Sequence, residues 1–324
     1  MLTSTIAIFV VLCLIFFAFV LKDVLLAKRR HKKYRLSTCA SALLMGSPAI
    51  VLGFLFVLLP IVYSLAYAFT DFYLLRPNNI KFNSFENFKL MFEEIGQKGD
   101  LFNAIKNTFT FVIGVVPLQI GLALALAIFV NRQKRGVGIF KVCYFAPVVI
   151  SLTVTSYLWL EILSPAETGI LNMILGWFGA APKDFLRDPD GAMWWIVLLS
   201  AWQGCGYQML IFLSGLTNVR KELYEAASLD GANAWQQFIH VTCPGLRSTF
   251  VYVVVTVFIG ACRVMTQPML MTGYQSHTVT LSYYMYVQGY NYRWVGYSSA
   301  VALMMTIVIG TITYLQRRFL REKD

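Results

Sequence analysis

Uncharged runs set the rhythm of this chain. They cover 1–21, 36–70, 107–131, 142–160, 191–219 and 294–316, and a seventh, 248–276, is interrupted only by Arg263. A helix needs about 20 apolar residues to cross a hydrocarbon core about 30 Å thick. Each run reaches or approaches that length. A membrane β-barrel would show alternating segments of about ten residues instead, and these runs do not alternate. The pattern predicts an all-α polytopic membrane protein. Its six core spans lie near 38–69, 107–131, 142–160, 192–216, 249–271 and 295–315, with one extra N-terminal span near 4–21. Pro48, Pro60, Pro117 and Pro147 fall inside spans. Proline is tolerated there when neighbours re-satisfy the freed carbonyl, so these helices are expected to be packed or to line a cavity.

The 324 residues are 58% hydrophobic and 13% charged, yet the net charge is +11. Its placement decides its meaning. If successive spans alternate in direction, segments 22–35, 132–141, 217–247 and 317–324 share one side and hold 18 of the 27 Lys and Arg residues. Acidic residues divide the other way, 10 on the opposite side and 6 on this one. The positive-inside rule makes the basic side cytoplasmic. The basic excess therefore reports topology, and no nucleic-acid partner is expected. The C-terminus falls in the cytoplasm. Lys22 and Asp23 follow the first apolar run, the reverse of a cleaved signal, so the extra span is expected to stay, with its N-terminus outside. The cluster Lys28-Arg29-Arg30-His31-Lys32-Lys33 reads as an anchor at anionic lipid headgroups in preference to a regulatory site. Two units follow: 1–36, the extra span and its basic connector, and 37–324, the six-span domain.

Catalytic chemistry finds no support. Nothing matches the phosphate-cradling GxxxxGK[ST] loop, no CxxC pair suggests a metal, and His31, His240 and His277 lie on separate segments. No catalytic or metal residue is expected, and no cofactor on this chain. Mid-membrane carboxylates, which proton-coupled carriers often need, are also missing; Glu161 sits at the outer end of its span. The outer segments 71–106 and 164–190 are each expected to carry one short helix, the first near Phe85–Glu94.

One polar stretch, EAASLDGANAW (225–235), lies between two long apolar runs on the cytoplasmic side. Asn218 is placed to cap a helix over Lys221–Leu229, Asp230-Gly231 signals a turn, and a second amphipathic helix is expected over Ala232–Thr242, with Pro244 opening the next span. Two short helices without a full apolar stripe suit a groove on another protein. An interfacial helix lying on the membrane fits equally well on physical grounds.

Glu225-Ala226-Ala227, Gly231, Val241 and Pro244 resemble the EAA signature, EAA-x3-G-x9-I-x-L-P, of ABC-importer permease subunits; Val241 and Cys243 replace its Ile and Leu. Phe69-Thr70-Asp71-Phe72, Ser84-Phe85-Glu86-Asn87-Phe88, Tyr144-Phe145-Ala146-Pro147, Gly169-Ile170-Leu171-Asn172 and Met271-Thr272-Gly273 are similar to the carbohydrate, maltose-type branch, covering about 40–315. After Met271-Thr272-Gly273 the usual Gly-Gly-Pro is replaced by Tyr274-Gln275-Ser276. The resemblance implies the type I importer fold in a bacterial cytoplasmic membrane, paired with a second, homologous permease. It implies a cytoplasmic ATPase dimer carrying ATP and Mg, and an external solute-binding protein that delivers a carbohydrate. The loop at 217–247 would couple to the ATPase through Glu225, Ala226, Ala227, Asp230, Gly231 and Pro244, with Glu225 as ionic contact and Gly231 as the bend. A stand-alone ion-coupled carrier or channel is the alternative, set against by the EAA loop and the missing carboxylates.

For substrate, the resemblance points to Trp202, Gly204 and Tyr207 in the fourth core span, with Gln203 and Gln208 as polar partners. Sugars need aromatic faces and a few orienting polar groups. Helix packing, allowed by Gly204 and Gly206, explains the same residues. Arg263 is an expensive charge in mid-span, and Gln267, four residues on, is expected to share its helical face. Arg263 reads either as a contact to substrate, favouring an acidic or phosphorylated sugar, or as a structural ion pair or snorkelling group.

Overall fold

The computed structural model describes residues 36–132 and 137–320. The expected N-terminal span, the basic cluster at 28–33 and the end of the chain after residue 320 lie outside the described residues. The chain forms two compact units divided between Tyr67 and Ala68, whereas the boundary expected at 36/37 falls at the edge of the described residues.

Among the described residues, the first unit is one helix widened by a π turn: α1 (Leu36–Gly53), the π turn (Phe54–Leu58) and α2 (Leu59–Tyr67). Met45–Tyr67 is long and apolar enough to cross a membrane. Pro60 has no N–H to return to the preceding turn, and the wider π turn sits just before it.

The second unit comprises α3 (Glu86–Gly96), α4 (Asp100–Arg132), α5 (Val137–Val149), α6 (Leu152–Ile162), α7 (Ile170–Trp177), α8 (Ala192–Asn218), α9 (Lys221–Leu229), α10 (Ala234–Gln237), α11 (Cys243–Gly245), α12 (Arg247–Cys262), α13 (Thr266–Met271), α14 (Leu281–Tyr286) and α15 (Val295–Leu320). Helices α4, α8 and α15 are long spans. Helix α8 is the axis: 61% of its most apolar stretch is buried, against 33% for α4 and for α15. At the end nearest the 217–247 loop, Ile120, Ala123 and Ala127 of α4 pack with Met209, Phe212 and Leu216 of α8 and Val253 of α12. Towards the other end, Phe111 and Val115 of α4 pack with Met193 and Ile196 of α8, Leu163 and Phe185. A third core joins α3 and α4 to α14 and α15 through Met91, Leu101, Tyr284 and Val301.

Two expected spans are broken. The third bends by 94° between α5 and α6, at Ile150-Ser151. The freed Ile150 carbonyl accepts a hydrogen bond from Gln203 Nε2 at 3.3 Å, which satisfies a group that lipid cannot. The fifth does not run from 249 to 271: α12 ends at Cys262, and Met265 leaves helical geometry at φ −142° and ψ −49° before α13 begins. Here the buried Thr280 hydroxyl donates to the Val264 carbonyl at 2.6 Å.

The segments 71–106 and 164–190 each carry their expected short helix, and each hangs on one buried asparagine. Asn87 Nδ2 donates to the carbonyls of Ala68 and Thr70 at 2.9 and 2.8 Å. Asn172 Nδ2 donates to those of Ser164 and Lys183 at 2.9 and 3.0 Å, and its Oδ1 accepts from Lys183 N at 3.0 Å. These asparagines belong to the Ser-Phe-Glu-Asn-Phe and Gly-Ile-Leu-Asn motifs, so the motif residues are the ones that fold the loops.

Candidate functional site

Helix α9 occupies Lys221–Leu229, as its apolar spacing predicts. Asn218 does not cap it. That residue is the last of α8, and the N-cap position of α9 is Arg220, whose side chain makes no capping bond. The helix ends in a Schellman arrangement: Ala232 N donates to Ala227 O at 2.9 Å and Gly231 N to Ser228 O at 3.1 Å. This closure needs a left-handed residue, and Gly231 provides it at φ +76°. The following helix is shorter than expected. Asn233 and Gln236 form a reciprocal capping box, α10 runs only to Gln237, and a π turn continues over Phe238–Thr242. Pro244 opens the short α11, not the span itself; α12 starts after a break at Leu246.

The two halves of this loop are braced. The Tyr224 hydroxyl lies 2.9 Å from Thr242 Oγ1. Gln237 Nε2 donates to Ser228 Oγ at 2.9 Å and to the Ala232 carbonyl at 3.1 Å. The outer surface is uncovered: Leu229 is 90% exposed and Trp235 67%, while Leu223 and Ile239 are also exposed. Trp235 stacks on Phe238 at 5.5 Å. Glu225, Ala226, Asp230, Gly231 and Pro244 are exposed and Ala227 is half-buried. A hollow of about 730 Å³ separates the loop from α4 and α8, with Ile128, Leu216, Tyr224 and Phe238 among its walls.

Around Trp202 the structure separates residues that the motif places together. Trp202 and Tyr207 are five residues apart, about 140° around a helix. Both are exposed, but Trp202 pairs with Trp159 of α6, centroids 6.1 Å apart. Gln203 is engaged within the chain, by Ile150 O and by Thr155 Oγ1 at 3.2 Å. Gly204 faces α4 so closely that a Cβ there would lie 2.3 Å from Gln119 Nε2. Gln119 Nε2 in turn donates to Gln208 Oε1 at 3.0 Å, both side chains being buried. Gly204 and Gln208 therefore serve the contact between α4 and α8.

Arg263 stands at the end of α12, exposed, with no ion pair to another described residue. Gln267 lies beyond the break on α13, so the two do not share a helical face as one continuous helix would require. The neighbouring Val264 packs with Leu163, Phe185 and Met193, in the core that lies away from the 217–247 loop. Sequence reasoning passed over Glu94, Thr280 and Trp159, single residues whose partners are distant in the chain.

A family model described as "binding-protein-dependent transport system inner membrane component" matches residues 2–323. Among curated relatives, the probable ABC transporter permease protein YesP of Bacillus subtilis is 34% identical over 274 residues, 82% of this chain and 85% of the relative. The arabinooligosaccharides transport system permease protein AraP of the same species is 30% identical, covering 85% and 87%. The lactose transport system permease protein LacF of Rhizobium radiobacter is also 30% identical, covering 86% and 94%. In fold, the chain is similar to a bacterial ABC transporter involved in the import of the acidic polysaccharide alginate, with a TM-score of 0.76 at 22% identity over 93% of this chain and 98% of that one. An exposed, braced EAA loop below a bundle of this fold, together with a match across nearly every residue, leads to one conclusion: the chain belongs to the binding-protein-dependent transport system inner membrane components, the membrane-spanning permeases of ABC importers.

Proposed function

We propose that this permease forms half of the path of a carbohydrate importer and is driven by ATP hydrolysed on a partner. The names of its relatives, which include permeases for arabinooligosaccharides and lactose, support the substrate class. One observation carries the coupling role: a loop tied internally by Tyr224, Thr242, Gln237 and Ser228 yet presenting Leu229 and Trp235 to solvent. A rigid knob with uncovered apolar side chains suits a groove on a second protein. In this reading the groove belongs to a cytoplasmic ATPase dimer, which holds ATP and magnesium. Glu225 meets a basic group there, Ala226 and Ala227 allow close approach, and Gly231 sets the angle between the two loop helices.

Closure of the ATPase dimer then draws this loop towards that of a second, homologous permease. Helices α8 and α12 enter and leave the loop, so the displacement reaches the cores they share with α4 and switches access between the two sides. Trp202 with Trp159, Tyr207, and Arg263 with Gln267 are the candidate sugar contacts, whereas Gln203 and Gly204 position the helices behind them. An external solute-binding protein supplies the sugar at the outer loops, and the loop at 217–247 and the C-terminus face the cytoplasm.

Copurification tests the assembly. A tagged chain expressed with its neighbouring genes is expected to bring down an ATPase and a second permease, and Leu229→Asp is expected to release the ATPase alone. A chain that purifies by itself and moves sugar on an ion gradient overturns the reading.

A further inference from the structure

The segment after Ala68 is folded onto the start of α15. Thr70 and Phe82 form one antiparallel bridge and Tyr73 and Trp294 another. Leu74 N donates to Arg293 O and Gly296 N to Phe72 O, both at 2.9 Å. The approach is close enough that a Cβ on Gly296 would lie 2.2 Å from the Thr70 carbonyl. Between this segment, α3 and α15 lies a cleft of about 440 Å³, within the range of small-molecule sites.

Its walls have the chemistry of sugar recognition. Trp294 is 52% exposed and Tyr73 half-buried, so two aromatic faces stand beside polar groups. Sugars lay their C–H faces on such rings and offer hydroxyls to amides and carboxylates. Asn79 and Glu86 stand exposed on the lining. Asn83 lines the cleft as well; its Nδ2 is spent on Asn87 Oδ1 at 3.3 Å, and its Oδ1 is buried without any donor. Asp71 and Glu86 against Arg76 leave the lining with one excess negative charge, which disfavours an acidic sugar.

We infer that this outer cleft is a subsite for a neutral saccharide, holding it on the outer face beside the entrance to the translocation path. The inference rests on the carbohydrate reading above. It assigns Trp294 and Tyr73 as the stacking platform and Asn79 and Glu86 as hydroxyl partners.

The test uses the assembled complex in lipid nanodiscs, diazirine-tagged lactose and arabinotriose as probes, and parallel uptake measurements in vesicles. Light-driven labelling is expected in peptides containing residues 70–83 or Trp294. Trp294→Ala is expected to abolish the label and raise the KM for uptake by about three- to tenfold, with kcat unchanged. Trp294→Phe keeps a ring and the backbone bridge, guards against misfolding, and is expected to restore most of both. Uptake with wild-type KM in Trp294→Ala, or labelling confined to other peptides, overturns the subsite alone. Weaker association with the solute-binding protein without sugar, labelling being unchanged, also overturns it and makes the cleft a protein-docking surface. A wild-type complex that moves and binds neither sugar overturns this inference together with the carbohydrate reading.

Discussion

Tyr297 donates its hydroxyl to Glu94 Oε2 at 2.6 Å, joining the first turn of the last span to the short helix α3. The same oxygen accepts from the fully buried Tyr284 at 2.7 Å, and Glu94 Oε1 accepts from Leu101 N at 3.0 Å. One carboxylate thus ties α3, α4, α14 and α15. Burial, then the bonds to Tyr297 and Glu94, push the Tyr284 phenol far above its ordinary range, so it stays a donor at every working pH. Glu94→Ala strands two phenols and is expected to cost about 2 kcal/mol, read as a fall in melting temperature of several degrees. Glu94→Gln keeps an acceptor of the same shape and should lie between. Equal melting of all three proteins would show that the tie bears no load.

The brace inside the 217–247 loop predicts uncoupling. Tyr224→Phe removes the bond to Thr242 and Gln237→Ala the bond to Ser228. Each bond is worth about 1 kcal/mol. The complex is expected to assemble and hydrolyse ATP while sugar moved per ATP falls by about fivefold, more in the double variant. Uptake and hydrolysis measured in the same vesicles check this. A matched fall in both would point to lost assembly instead.

Gly231 predicts a graded series. At φ +76° any side chain is strained, by about 1–2 kcal/mol for most residues and less for asparagine. Uptake is expected in the order Gly, Asn, Ala, Val. An alanine variant with full uptake would remove the bend from the account.

Gly204→Ala is expected to push Gln119 off Gln208, since the new Cβ meets the Gln119 amide first. Loss of about 1–2 kcal/mol follows from breaking a buried pair. Adding Gln119→Ala to Gly204→Ala should be less harmful than the separate effects imply, because the side chain in the way is gone. Strict additivity of the melting temperatures would contradict the contact.

Arg263→Gln separates the two roles of that cation. Contact with sugar predicts a raised KM at unchanged stability; a structural role predicts lower stability and an unchanged KM.

Much of this was legible in the chain, for reasons that also mark where legibility ends. Apolar runs report burial in lipid, and helix α9 with its glycine turn followed from spacing and one left-handed residue. Neither break was visible. On both sides of Ile150-Ser151 and of Arg263 the residues remain apolar, and the carbonyls freed there are met by Gln203 and Thr280. Such partners are fixed by packing, which a local pattern does not encode. The failed Asn218 cap has a similar cause: α8 extends through that residue, and α9 starts only after the extended Val219 and Arg220. Glu94 was hidden because its phenol partners lie 190 and 203 residues further on.

The central claim is that this bundle has no motor of its own and moves by a lever worked from outside it. Accumulation of labelled sugar in vesicles, compared for the whole complex with ATP, the whole complex without ATP, and this chain alone, tests that claim most directly. The account predicts accumulation above the external concentration only in the first case, and its loss in Leu229→Asp. Accumulation by the chain alone, with no nucleotide on either side, would contradict it.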